Sequence, residues 1–176
     1  MLAAILTSPL LRIVPIGMML LALQKTLFIE LTPFGVIVQI VMAFAASAGA
    51  AGGPERGAMT GFTLGILFDL AVGSPLGSSS ITMGLAGYEA GWADLIRIDT
   101  TWWLAAIFVG VGTGTGELAV PVVRRFIGEE DAFVPHLPVI VPVVAVAGAI
   151  LSVALVPISR WALKLERPEW KLPADA

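Results

Sequence analysis

Cysteine is absent from the 176 residues, so the chain can hold neither a disulfide frame nor a thiolate metal site. Histidine occurs once, as His136, beside a loop, where a lone imidazole reads as an interface residue rather than a base or ligand. Charge is scarce as well. Asp, Glu, Lys and Arg make up 13% of the chain, against roughly 25% in a soluble domain. The formal net charge of −3 and the lack of any basic cluster exclude nucleic acid as a partner. Metalloprotease, P-loop and Rossmann patterns are all missing. Ser78, Ser79 and Ser80 have no histidine near them in sequence to activate a hydroxyl, and they read instead as helix-start residues whose hydroxyls can cap free N–H groups. A two-metal centre would need clustered acids, and Asp69, Glu89 and Glu117 are spread along the chain. The expectation is a protein without catalysis, cofactor or metal.

What is present is apolar surface. Hydrophobic residues make up 57% of the chain, and the mean hydropathy is +0.93. No soluble core of this size hides so much of it, so the fold class expected is an all-α membrane protein, one polytopic domain over 1–176. Spanning a bilayer takes about 20 apolar residues. Six runs qualify, at approximately 10–29, 34–51, 57–72, 76–95, 101–120 and 137–158, the fifth ended by Pro121. The first lacks a positive n-region and a clean cleavage site, and it reads as a retained span rather than a signal peptide. Short connections predict antiparallel hairpins; the segment 121–136 is the long outer loop. With six spans, Arg12, Arg56, Arg97, Arg160, Lys164, Arg167 and Lys171 fall on one side and Lys25, Arg124 and Arg125 on the other. This bias predicts cytoplasmic termini. Trp92, Trp102, Trp103 and Trp161 fall at the inner ends of spans, where indoles favour the headgroup zone.

The centre of the chain, 57–92, carries the densest signal. Gly57, Gly61, Gly65 and Asp69 recur every four residues, which puts them on nearly one face of a helix. At about 1.5 Å per residue, Asp69 lies about 18 Å along the third span, beyond the midplane. Glu89 lies in the inner half of the fourth span, Glu117 lies towards the outer side of the fifth, and Glu30 follows the first. An acid at such depth costs a few kcal/mol unless paired, protonated or wet. For Asp69 a binding, proton or ion site and a structural hydrogen bond stand level. For Glu89 and Glu117 the structural reading leads. The breaker Gly73-Ser74-Pro75 lies one turn beyond Asp69, and helix N-termini stabilise carboxylates. Asp69 is therefore expected to reach the first turn of the fourth span, near Gly77, Ser78 or Ser79. The pairs Gly110/Gly114 and Gly112/Gly116 in the fifth span read as helix-packing positions, either within the bundle or towards another membrane protein.

The pattern Gly57-x-x-x-Gly61-Phe62-x-x-Gly65-x-x-x-Asp69, followed by Pro75-Leu76-Gly77 and Gly87-Tyr88, resembles the rod shape-determining MreD family. The run Leu23-Gln24-x-Thr26-Leu27 and a closing span that reaches Pro157 before a basic tail are similar too. The resemblance is specific over about 57–92 and loose elsewhere. It implies a six-helix fold similar to the substrate-binding subunits of energy-coupling-factor transporters. It also implies a non-enzymatic component of the bacterial inner membrane that binds an MreC-type single-span protein. Through it the chain would act indirectly with MreB, RodA and a penicillin-binding transpeptidase in side-wall peptidoglycan synthesis. On this reading Gly57, Gly61, Phe62, Gly65, Asp69, Gly77, Gly87 and Tyr88 are structural or partner-contact residues, with membrane lipid around them. The similarity to transporter subunits supplies the rival, a small-solute-binding subunit with an outward-opening polar cavity near Asp69 and Glu117.

Overall fold

The computed structural model describes residues 10–27, 32–95, 102–130 and 132–165. Glu30, Arg97, Asp131, Arg167 and Lys171 lie outside them. Every regular element among the described residues is helical. The helices are α1 (Leu10–Thr26), α2 (Ile40–Gly52), α3 (Pro54–Val72), α4 (Ser78–Ala90), the single turn α5 (Trp92–Leu95), α6 (Trp102–Phe126) and α7 (Leu137–Ala162). Of these, α6 and α7 are long and apolar enough to cross a membrane. By contrast, α2 and α4 have 13 residues each, about 20 Å at the helical rise, shorter than the ~30 Å of a bilayer core. α3 has 19 residues but carries Glu55, Arg56 and Asp69.

α2 is the axis of the bundle. Every residue from Ile40 to Ala50 is buried, and a helix that is apolar all round belongs inside. Its alanines and Gly49 let α3, α4, α6 and α7 approach closely, while Val41, Met42 and Phe44 fill the main core with Ile13, Leu20, Leu64, Met83 and Leu155. Neighbours along the chain run antiparallel. Gly61 lies against Met83 and Gly57 against Gly87, Gly116 against Thr82 and Gly112 against Ala90, and Gly114 against Val141 and Gly110 against Ala149. One end of the bundle gathers the start of α1, the α2–α3 and α4–α5 turns, and the end of α7. There Arg12 donates to the Trp161 carbonyl at 3.2 Å and lies 4.9 Å from its ring centroid. Gly52 packs against Leu163, and Gly53 against Asp94. Exposed Trp92, Trp102, Trp103 and Trp161 belong to the same end, as the sequence leads one to expect.

Three expectations about helix limits are corrected. The run 34–51 is not one helix. Pro33–Gly35 form a 3₁₀ turn in which Phe34 and Gly35 take positive φ, residues 36–39 are not helical, and α2 starts only at Ile40. Pro33 fixes its own φ, and Val36, Ile37 and Val38 are β-branched, so local preference overrides the apolar run. The fifth run does not end at Pro121, which is buried inside α6; the helix continues to Phe126. The last helix runs one turn beyond the expected limit at 158, to Ala162, with Pro157 inside both the expected and the observed span. A proline removes one backbone hydrogen bond and bends a helix, but apolar packing on both sides of it carries the helix on.

Candidate functional site

The hairpin of α3 and α4 is built on backbone-to-backbone approach. A Cβ on Gly57 would overlap the Gly87 carbonyl, one on Gly61 the Met83 carbonyl, and one on Gly65 the backbone of Ser79 and Ser80. Gly87 faces Gly57 in return, and Gly49 of α2 meets the same Gly87 carbonyl. The four-residue spacing is thus a seam along which two helices touch without side chains between them. Dispersion and weak Cα–H contacts replace side-chain packing there.

Asp69 closes the seam at its far end. The carboxylate is 1% exposed. Its Oδ2 accepts from the Gly77 N–H at 2.8 Å and from the Ser79 N–H at 3.2 Å. Its Oδ1 accepts from the Ser74 hydroxyl at 2.7 Å, the Ser78 hydroxyl at 3.2 Å and the Ser79 N–H at 3.3 Å. Chain geometry makes this possible. Gly73 ends α3 with φ 77°, and Gly77 precedes α4 with φ 97°, both in the region that favours glycine. The turn thus folds back over the acid. The expected contact with the first turn of α4 is present. The expected serine caps are not: Ser74 and Ser78 donate to Asp69, and the α4 N–H groups are capped by a carboxylate from the preceding helix. A buried carboxylate that accepts from two backbone N–H groups and two hydroxyls at a helix N-terminus is held in place rather than free to react.

The other two acids sit apart. Glu89 is half-buried on α4, and its Oε2 accepts from the Thr115 hydroxyl of α6. Glu117 lies on α6, and its Oε2 is buried without a hydrogen-bond partner. Among the described residues no hydrogen bond or ion pair joins Asp69, Glu89 and Glu117, and no group of three His, Asp or Glu is placed to hold a metal. His136 precedes α7 and is exposed. Phe62 and Tyr88 point away from the seam, 53% and 45% exposed, with Tyr88 edge-on to Trp92 at 6.4 Å.

A further buried polar contact falls outside the central motif. Gln24 of α1 donates from Nε2 to Gln39 Oε1 at 3.0 Å and accepts from the Val41 N–H at 3.2 Å. It caps α2 where the second run breaks. In the sequence Gln24 stands out within the Leu23-Gln24-x-Thr26-Leu27 run, but nothing there pairs it with Gln39.

Two clefts flank these helices. A small cavity of about 80 Å³ beside the α3–α4 turn is lined by Ser74, Ser78, Ser79, Thr82 and Arg124. An open apolar groove runs between α6 and α7, bounded by Ile107, Gly110, Gly114, Leu118, Ala145 and Ala149. Compared with protein-family models, curated proteins and solved structures, the chain matches none of them.

Proposed function

We propose that the chain is a non-enzymatic, MreD-type component of the bacterial cell-elongation machinery that holds an MreC-type single-span partner in the inner membrane. On this reading the helices form a six-span bundle, α4 and α5 together making the fourth span, with the start of α1 and the end of α7 on the cytoplasmic side. The observation that carries it is the hairpin of residues 57–92. Its glycines and its acid are consumed in closing α3 on α4, so the groups that looked most chemical serve architecture. That leaves a rigid body with apolar outer faces, suited to lipid and to partner helices. The rival solute-binding reading is less well supported. The cavity beside Asp69 has about 80 Å³, whereas sites for small organic ligands occupy about 300–1,000 Å³.

The test is co-purification in mild detergent of the tagged chain with an MreC-type protein expressed beside it. Stoichiometric recovery supports the proposal. Recovery no higher than with an unrelated single-span protein overturns it.

A further inference from the structure

The end of α6 lies beside the α3–α4 turn, and the cavity of about 80 Å³ is between them. α6 has 25 residues, about 37 Å at the helical rise, more than the ~30 Å of a bilayer core. Arg124, in its last turn, therefore reaches headgroup level where α6 crosses a membrane. The cavity has an apolar side, with Phe68, Val120, Val123 and Ile127. Its polar side is made by Ser74, Ser78, Ser79, Thr82, Arg124 and Glu129.

That polar side offers oxygens rather than hydrogens. Ser74 and Ser78 each give their hydroxyl hydrogen to Asp69 Oδ1, at 2.7 and 3.2 Å. Thr82 gives its own to the Ser79 carbonyl at 3.2 Å. A hydroxyl has one hydrogen to give and two lone pairs to accept with, so these three retain acceptor capacity. Behind the serines, Asp69 is bonded by neutral donors alone. Glu117 precedes Val120 by three residues and Arg124 by seven, which puts it on the cavity side of α6. Its Oε2 is buried without a hydrogen-bond partner. Glu129 stands 4.0 Å from Arg124, and both side chains are about half exposed. A pair of that kind is weak and opens at little cost. Asp69, Glu117 and Glu129 thus surround a space whose one lining cation is Arg124.

Acceptors and acids within, a guanidinium that can be freed, and an apolar wall alongside suit a primary ammonium joined by a short arm to a phosphate. An ammonium has three hydrogens for three oxygens, and Arg binds phosphate through paired N–H groups. A water needs about 10–15 Å³ of such space, so the cavity admits a two-carbon ammonium arm but not a larger solute. We propose that it holds the head of a phosphoethanolamine lipid. The ammonium donates to the Ser74, Ser78 and Thr82 oxygens under the pull of Asp69 and Glu117, and Arg124 takes the phosphate. This goes beyond the scaffold reading and does not depend on it.

The test uses the full chain in mild detergent, with phosphatidylethanolamine, phosphatidylcholine and phosphatidylglycerol of the same acyl chains. Retention is read by native mass spectrometry and by the shift of the thermal unfolding midpoint. The choline head keeps the charge but has no N–H to donate, and the glycerol head has no cation. The ethanolamine lipid is expected to bind about tenfold tighter than either, the worth of one charge-assisted hydrogen bond. Arg124→Gln should weaken all three lipids, and Glu117→Gln the ethanolamine lipid most. Both variants should unfold without lipid where the parent does, because one side chain is half exposed and the other has an unpartnered oxygen. Equal binding of the ethanolamine and choline lipids overturns the proposal. So does tighter binding of the glycerol lipid, or a Glu117→Gln variant that weakens all three alike. Phosphoethanolamine without acyl chains that binds as tightly as the lipid overturns the lipid as the source and keeps the headgroup chemistry. No partner protein takes part, so failure here leaves the scaffold reading standing.

Discussion

Replacing Asp69 separates the two halves of its carboxylate. Oδ2 receives two backbone N–H groups, Gly77 and Ser79, and a backbone donor cannot turn into an acceptor. Oδ1 receives mainly the hydroxyls of Ser74 and Ser78, which rotate and accept as readily as they donate. In Asp69→Asn the amide oxygen can take the Oδ2 position and the NH₂ the Oδ1 position. Both backbone donors then stay paired, and the serines reverse roles. What is lost is the charge on two hydrogen bonds and its interaction with the α4 N-terminus, about 1 kcal/mol. In Asp69→Leu both N–H groups lose their acceptor inside a site that is 1% exposed. Each buried unsatisfied donor costs about 1–3 kcal/mol, so the loss is about 2–6 kcal/mol. Unfolding by denaturing detergent, followed by tryptophan fluorescence in mixed micelles, gives both differences. Equal losses for the two variants, or a leucine variant as stable as the parent, would refute the assignment of Asp69 as the cap of α4.

The seam makes a paired prediction. Gly61→Ala drives a methyl into the Met83 carbonyl and should cost about 1–3 kcal/mol, whereas Gly84→Ala meets nothing nearer than the Ala58 carbonyl at 3.6 Å and should be near neutral, both by thermal unfolding in detergent. At the other end of α2, Gln24→Leu strips the Val41 N–H of its acceptor and Gln39 of its amide partner. It should cost about 1–3 kcal/mol in the same assay. Amide exchange should then speed up at Val41 more than at Ala46, deep in the same helix. Uniform exchange along α2 would count against a capping role for Gln24.

The central hairpin was legible because its code is short-range and redundant. Four small or acidic positions at a fixed spacing, a breaker, and a second small-residue run define one face, one turn and one partner helix. Little else in the chain has that redundancy. The run 34–51 reads as a span because hydropathy sums over side chains and does not register that Pro33 and Val36-Ile37-Val38 disfavour helix locally. The end of α6 reads short for the opposite reason: Pro121 is a local breaker, and its burial against the bundle overrides one missing hydrogen bond. The Gln24–Gln39 contact depends on how α1 returns against α2, which no local pattern states.

Small-residue pairs show why a motif of this kind does not announce its own partner. Gly57, Gly61 and Gly65 are covered so closely by α4 that a single added carbon overlaps backbone. Gly112 and Gly116 meet α4 from the other side, with Ala90 and Thr82 as their neighbours. Gly110 and Gly114 have the same spacing on the same helix, turned towards α7 and buried there, where an added carbon on either would lie 3.0–3.2 Å from Ala145. In a bilayer the apolar effect does not distinguish a helix from lipid, so close approach and donor supply decide which faces are filled. The α3–α4 seam has both, backbone contact and a fully bonded Asp69. At the α6–α7 contact, alanine side chains of α7 share the approach with the Ala145 carbonyl. Spacing alone therefore marks where small residues let helices meet, and the packing around each pair decides how closely they do so.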